Sequence, residues 1–96
     1  MPIIKCNGGL TVSVQASGFH YCTPRNDSGP WTHYELGFPS SGKNLTAIRE
    51  YAEDPKDLTG TVYPYVPKLK VKQLIRDNGG LASGKNINSI IFSIIS

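Results

Sequence analysis

The stretch LTVSVQA at 10–16 constrains this chain's fold more than any other. Leu10, Val12, Val14 and Ala16 alternate with Thr11, Ser13 and Gln15, the period of two of a strand with one face on a core and the other in water. Asn7, Gly8 and Gly9 stand directly before it and supply the positive φ angles of a tight hairpin turn. The short apolar run at 2–6 is therefore expected to pair back onto 10–16.

Two further segments read as strands. WTHYELGF sets Trp31, His33 and Glu35 against Thr32, Tyr34 and Leu36, which predicts a strand over 31–38, with HYCTP before it as a further extension of the sheet. TGTVYPYVP is β-rich, but Pro64 has no N–H for a ladder, so a strand at 60–65 belongs on an edge. The strongest helix follows over 67–78. Pro67 suits a first turn, Val71, Leu74 and Ile75 form an apolar stripe, and Asn78-Gly79-Gly80 is a stop signal. Leu45, Ile48 and Tyr51, three apart between Asn44 as a cap and Pro55 as a stop, predict a second, short helix. IIFSII near the end is expected as a last strand or an exposed apolar tail, within a terminal region 81–96 that is either strand or flexible.

The fold class is thus α+β, a small antiparallel sheet of three to five strands packed on one main C-terminal helix. With 96 residues the chain supports one core and one domain, 1–96. No window approaches the roughly 20 apolar residues of a membrane span, and MPIIKCNGG lacks the basic and then apolar run of a secretory signal. The expectation is a cytoplasmic protein with no membrane partner, in which Cys6 and Cys22 remain thiols.

The richest stretch for chemistry is 19–40, which holds both histidines, Cys22 and the single tryptophan. His20, Cys22 and His33, with Cys6 on a neighbouring strand, are zinc-ligand types, but they lack the paired spacing of recognised sites, so no metal site is expected. A cysteine nucleophile activated by His20 or His33 and oriented by Asp27 or Glu35 would need a geometry that proximity in sequence does not supply. Glu50, Glu53, Asp54 and Asp57 lie in a polar segment and read as a solvated face. No glycine pattern makes a phosphate loop, and no cofactor is expected. These absences favour a binding protein over an enzyme.

Two surfaces could bind a partner. Arg25, Asn26, Asp27 and Ser28 are polar loop residues beside Pro30 and Trp31, and tryptophan and arginine often dominate binding energy. Trp31 equally fits a core anchor. Lys68, Lys72 and Arg76 recur every four residues, so they stack on one face of the 67–78 helix, away from its apolar stripe. Charge is uneven in the same sense: the first sixty residues hold five basic and six acidic groups, and 61–96 hold five basic and one acidic. The candidate partner-binding residues are therefore Arg25, Asn26, Asp27, Trp31, Lys68, Lys72 and Arg76. A protein partner is the expectation for these surfaces. Weak nucleic-acid binding through the basic helix face is the alternative, because three basic contacts without interleaved aromatics give only modest, salt-sensitive affinity.

The runs LTVSVQASGFHYCTPRNDSGPWTHYELGFPS, YAEDP and TVYPYVP, with a closing helix that ends in two glycines, resemble a group of short proteins encoded in bacteriophages and prophages. The resemblance covers about residues 10–80 and leaves both ends without a counterpart. It implies an origin in a phage and a place in the bacterial host cytoplasm. Accessory proteins of this size often inhibit host defence by stoichiometric binding, as anti-CRISPR proteins do, and the resemblance implies that class of action.

Overall fold

The computed structural model describes residues 2–82 and 89–95, with the side chains of Ser89 and Phe92 outside the description. Four strands, β1 (Ile3–Lys5), β2 (Thr11–Gln15), β3 (His33–Gly37) and β4 (Val62–Pro67), form one antiparallel meander in the order β1-β2-β3-β4. Helix α1 (Lys68–Asp77) follows β4 directly, and a second helix α2 spans Ser89–Ile95. The α+β class and the sheet packed on one main helix are as the sequence predicts. No helix among the described residues is long and apolar enough to cross a membrane.

The apolar half of the alternation at 10–16 does what its period requires, while Ser13, expected on the wet face, is also buried. Leu10, Val12, Val14 and Ala16 are buried beside Ile4, Tyr34, Leu36, Tyr63 and Val66, and Val71, Leu74 and Ile75 of α1 join the same cluster. β4 takes the edge position expected of a strand containing Pro64. Its register slips between Tyr34↔Val66 and Leu36↔Tyr63, so Pro64 and Tyr65 together oppose Glu35 in a bulge. Tyr65 adopts φ 54° there, and its N–H, turned out of the ladder, donates to the carbonyl of Tyr21 at 3.1 Å. The bulge both excuses the missing N–H of Pro64 and ties the edge strand to the preceding loop.

Three expectations are corrected. IIFSII is neither strand nor tail. Ile91 and Ile94 are fully buried, and the Tyr34 hydroxyl hydrogen-bonds Ser93 on the adjoining helical position. A run rich in isoleucine has high strand propensity, but burial three apart is a helical repeat, and packing against the core overrides the propensity. Residues 83–88 of the terminal region lie outside the described residues. The short helix expected behind Asn44 shrinks to a 3₁₀ turn at Arg49–Tyr51. Asn44 is no cap; it sits at φ 58°. Leu45, Ile48 and Tyr51 recur every three residues, which is the 3₁₀ repeat, and Ile48 to Leu45 and Tyr51 to Ile48 each close i→i+3 bonds of 2.9 Å. Pro67 also lies one position earlier than expected, as the last residue of β4 and the N-cap of α1.

The end of α1 is joined to the first hairpin. Gly80 N–H donates to the Ile75 carbonyl at 2.9 Å and Gly79 N–H to the Arg76 carbonyl at 3.2 Å, a Schellman closure with both glycines at positive φ. The hairpin turn docks onto it: Gly8 N–H donates to the Asn78 carbonyl at 2.8 Å and Asn7 N–H to the Gly80 carbonyl at 2.9 Å. The Asn7 amide adds a bond to the Gly79 carbonyl at 2.9 Å. Buried Asn78 donates from its side chain to the carbonyls of Leu74 and Asn44, at 2.8 and 3.0 Å. A methyl group on Gly8 would lie 2.8 Å from the Asn78 carbonyl oxygen. Gly8→Ala is therefore expected to lower stability by about 1–3 kcal/mol in urea unfolding. Gly42→Ala, where a methyl meets nothing within 4 Å, should stay within about 0.5 kcal/mol of the parent.

Candidate functional site

The loop 17–32 leaves the end of β2 and returns as β3. Its own polar side chains hold its shape. The Asp27 carboxylate accepts the Gly18 N–H at 2.8 Å, and the Asn26 side-chain oxygen accepts the N–H groups of Ser28 and Gly29 at 3.2 and 2.7 Å. The Cys22 thiol, buried, donates to the carbonyls of Ser17 and Pro24. Thr23 bridges to His33 at the mouth of the loop, which is the extent to which HYCTP extends the sheet. The peptide bonds before Pro24 and Pro30 are cis.

Trp31 sits beneath this framework. It is only 6% exposed, its ring lies 6.5 Å from that of Tyr34, and its indole N–H donates to the Asn26 carbonyl at 3.0 Å. Of the two roles open to Trp31, the structure places it in that of a core anchor, and its buried ring offers no projecting contact. A methyl on Gly29, which has φ +69°, would meet the Trp31 ring at 2.9 Å. The glycine lets the loop close down on the indole.

Arg25 is one of several loop residues that face outward. Its guanidinium lies over the ring of Tyr21, 5.8 Å from the centroid, and Tyr21 lies 5.8 Å from Tyr65 on the β4 bulge. Tyr21 and Tyr65 are 44% and 42% exposed, and Phe19, two residues along the loop, is 88% exposed. Arg25, Tyr21 and Tyr65 thus form a row of cation and two aromatic rings on the surface, held by the Tyr21–Tyr65 backbone bond and by the Tyr21 N–H, which donates to the Glu35 carboxylate at 3.0 Å. Asn26 and Asp27 are exposed beside it, with one side-chain oxygen of each engaged in the loop. Sequence reasoning missed Tyr21 and Tyr65. The available signal was Pro64 between two tyrosines of an edge strand, which marks a bulge and hence an outward-turned ring.

The basic row lies on α1, with Arg76 exposed and Lys68 and Lys72 half-buried. The helix begins against the loop, since the Lys68 N–H donates to the Thr32 carbonyl at 3.0 Å. Leu69 is 72% exposed beside the row. The carboxylates of Glu50, Glu53, Asp54 and Asp57 belong to exposed residues. A cleft of about 330 Å³ with a mixed lining lies at the opposite end of the sheet, between the hairpin turn, Ser40, Ser41, Lys43, Asn44 and Asn78.

The residues with metal-ligand and nucleophile chemistry are dispersed. His20 hydrogen-bonds Ser17, His33 hydrogen-bonds Thr32, and Cys22 bonds to carbonyl groups. Cys6 is a free thiol at the hairpin, bridged to Leu81. Among the described residues no three His, Cys, Asp or Glu side chains gather to hold a metal ion. Burial raises the Cys6 thiol above its ordinary value, which favours the neutral, unreactive form. Comparison with protein-family models, curated proteins and solved structures finds no match to this chain.

Two outcomes test this architecture. Trp31→Ala should cost about 3–5 kcal/mol of stability, whereas Arg25→Ala should cost less than about 1 kcal/mol, the scale of an exposed cation–π contact. Because the folded protein favours the neutral Cys6 thiol, the stability that Cys6 contributes is complete below the thiol's ordinary pKa. It is lost as pH rises through the raised value. Urea midpoints should therefore fall more steeply in mildly alkaline solution for the parent than for Cys6→Ala.

Proposed function

We propose that this chain is a phage-encoded accessory protein that acts by stoichiometric binding to a host protein complex, in the manner of anti-CRISPR inhibitors of host defence. The observation that carries the binding part of the reading is the exposed row of Arg25, Tyr21 and Tyr65, with Phe19 beside it. Large apolar groups on a surface cost solvation unless something covers them, and tyrosine and arginine recur among the residues that dominate interfaces. The loop is braced from inside by Trp31, Asn26 and Asp27, so binding would require little ordering of the chain. Arg25 serves as the charged anchor, while Asn26 and Asp27 form a polar rim. Lys68, Lys72 and Arg76 form a second, flanking contact. The phage origin and the host target rest on the resemblance of residues 10–80.

The test is capture from a bacterial host lysate, followed by reconstitution of the captured complex from purified components and a plaque assay in hosts with and without their defence systems. A one-to-one complex is expected. Its affinity should fall about 100-fold in the double variant Tyr21→Ala/Arg25→Ala, with the urea midpoint nearly unchanged. Failure to capture any host complex, together with turnover abolished by Cys22→Ala, would replace this reading with a cysteine-dependent enzyme. Micromolar duplex DNA binding that disappears when Lys68, Lys72 and Arg76 are all changed to Ala would replace it with the nucleic-acid reading.

A further inference from the structure

The chain has two Asn-Gly dipeptides, Asn7-Gly8 and Asn78-Gly79, and the fold sets them against each other. An Asn-Gly pair is chemically labile because glycine, having no Cβ, lets its backbone nitrogen reach the asparagine side chain with little steric hindrance. In this protein the reacting nitrogens are held elsewhere. The Gly8 N–H donates to the Asn78 carbonyl, and the Gly79 N–H donates to the Arg76 carbonyl. The departing amide groups are held as well: the Asn7 amide donates to the Gly79 carbonyl, and the Asn78 amide donates to Leu74 and Asn44. Asn78 has ψ 25°, which turns the Gly79 nitrogen away from the side-chain carbon it would attack.

We propose that Asn78 is a site of covalent modification by deamidation, gated by the latch between the hairpin turn and the end of α1, and that modification prevents the latch from closing again. In the reaction the Gly79 nitrogen bonds to Cγ of Asn78 and gives up its proton. The Cγ–Nδ2 bond breaks, and ammonia leaves. Water then opens the cyclic imide at either carbonyl to give an α- or β-linked aspartyl residue. The net change is one water consumed and one ammonia released, with no redox step.

The two asparagines differ in the damage that modification does. Asn7 is exposed, and its side chain makes one bond in the latch, to the Gly79 carbonyl. Asn78 is only 7% exposed. A carboxylate formed there has no hydrogen to give, so it would face the carbonyl oxygens of Leu74 and Asn44 across 2.8 and 3.0 Å, a buried charge against two acceptors. A β-linkage would also lengthen the backbone beside Gly79 and Gly80, whose left-handed geometry closes the helix. Opening the latch exposes Asn78 to the reaction, and the product cannot support the closed form.

Peptide mapping by mass spectrometry on the purified full chain at mildly alkaline pH tests this. Modification at 78 is expected to be about tenfold or more slower in the native protein than in the urea-unfolded chain, because it waits on local opening. Asn7→Ser, which removes one hydrogen bond of the latch, should accelerate it about fivefold. Equal rates at 78 in native and unfolded protein, or no acceleration in Asn7→Ser, would overturn the gate. Asn78→Asp supplies the second arm. Failure of this variant to fold, or a urea midpoint well below that of Asn7→Asp, supports the one-way character. A midpoint equal to the parent's would sink it.

Discussion

The exchange of hydrogen bonds between the hairpin turn at 7–8 and the helix end at 78–80 is the constraint on which the rest of the architecture hangs. A hairpin alone is marginal in water, and a helix end leaves carbonyl groups without partners. Each supplies what the other lacks. The same junction fixes the edge of the sheet, because Leu81 bridges Cys6 and the Ala82 N–H reaches the Lys5 carbonyl at 2.8 Å. Through Asn78 it also orders the 40–44 segment, whose Asn44 carbonyl accepts a side-chain hydrogen. Contacts far apart in sequence thus converge on one helix cap.

The opposite edge is managed by irregularity. Pro64, the bulge at Tyr65 and the Glu53 N–H on the Val62 carbonyl at 3.0 Å leave β4 a poor template for another strand. The device that blunts the edge also builds the candidate surface, since the left-handed Tyr65 is what meets Tyr21.

Local order was legible in the sequence; long-range consequences were not. Alternation at 10–16 and the stripe of Val71, Leu74 and Ile75 each imply a packing face within one element, and their apolar residues lie where the period requires; in the Asn-Gly-Gly turn only Gly9 takes the positive φ expected of all three residues. The three-residue spacing of Leu45, Ile48 and Tyr51 was visible, yet only the 3₁₀ hydrogen bonds distinguish it from the start of an α-helix. The isoleucines of α2 misdirect because strand propensity is a local property, and burial against the core is not. In the site, Arg25 was legible as an exposed cation. The burial of Trp31 and the neighbouring position of Tyr65 depend on how the loop folds over Gly29 and across the β4 bulge, and no short window of sequence contains that.

The passage from β4 into α1 uses no loop residue at all: Pro67 ends one and caps the other. Strand and helix therefore form a bent rod without a hinge, clamped at its corner by the bond from Lys68 to Thr32. Whatever rests on Tyr65 meets a helix whose direction is already set, with Lys68 and Arg76 separated along it by about 12 Å at 1.5 Å per residue. The exposed ring of Tyr65 and the basic row of the helix are thereby carried at one fixed spacing.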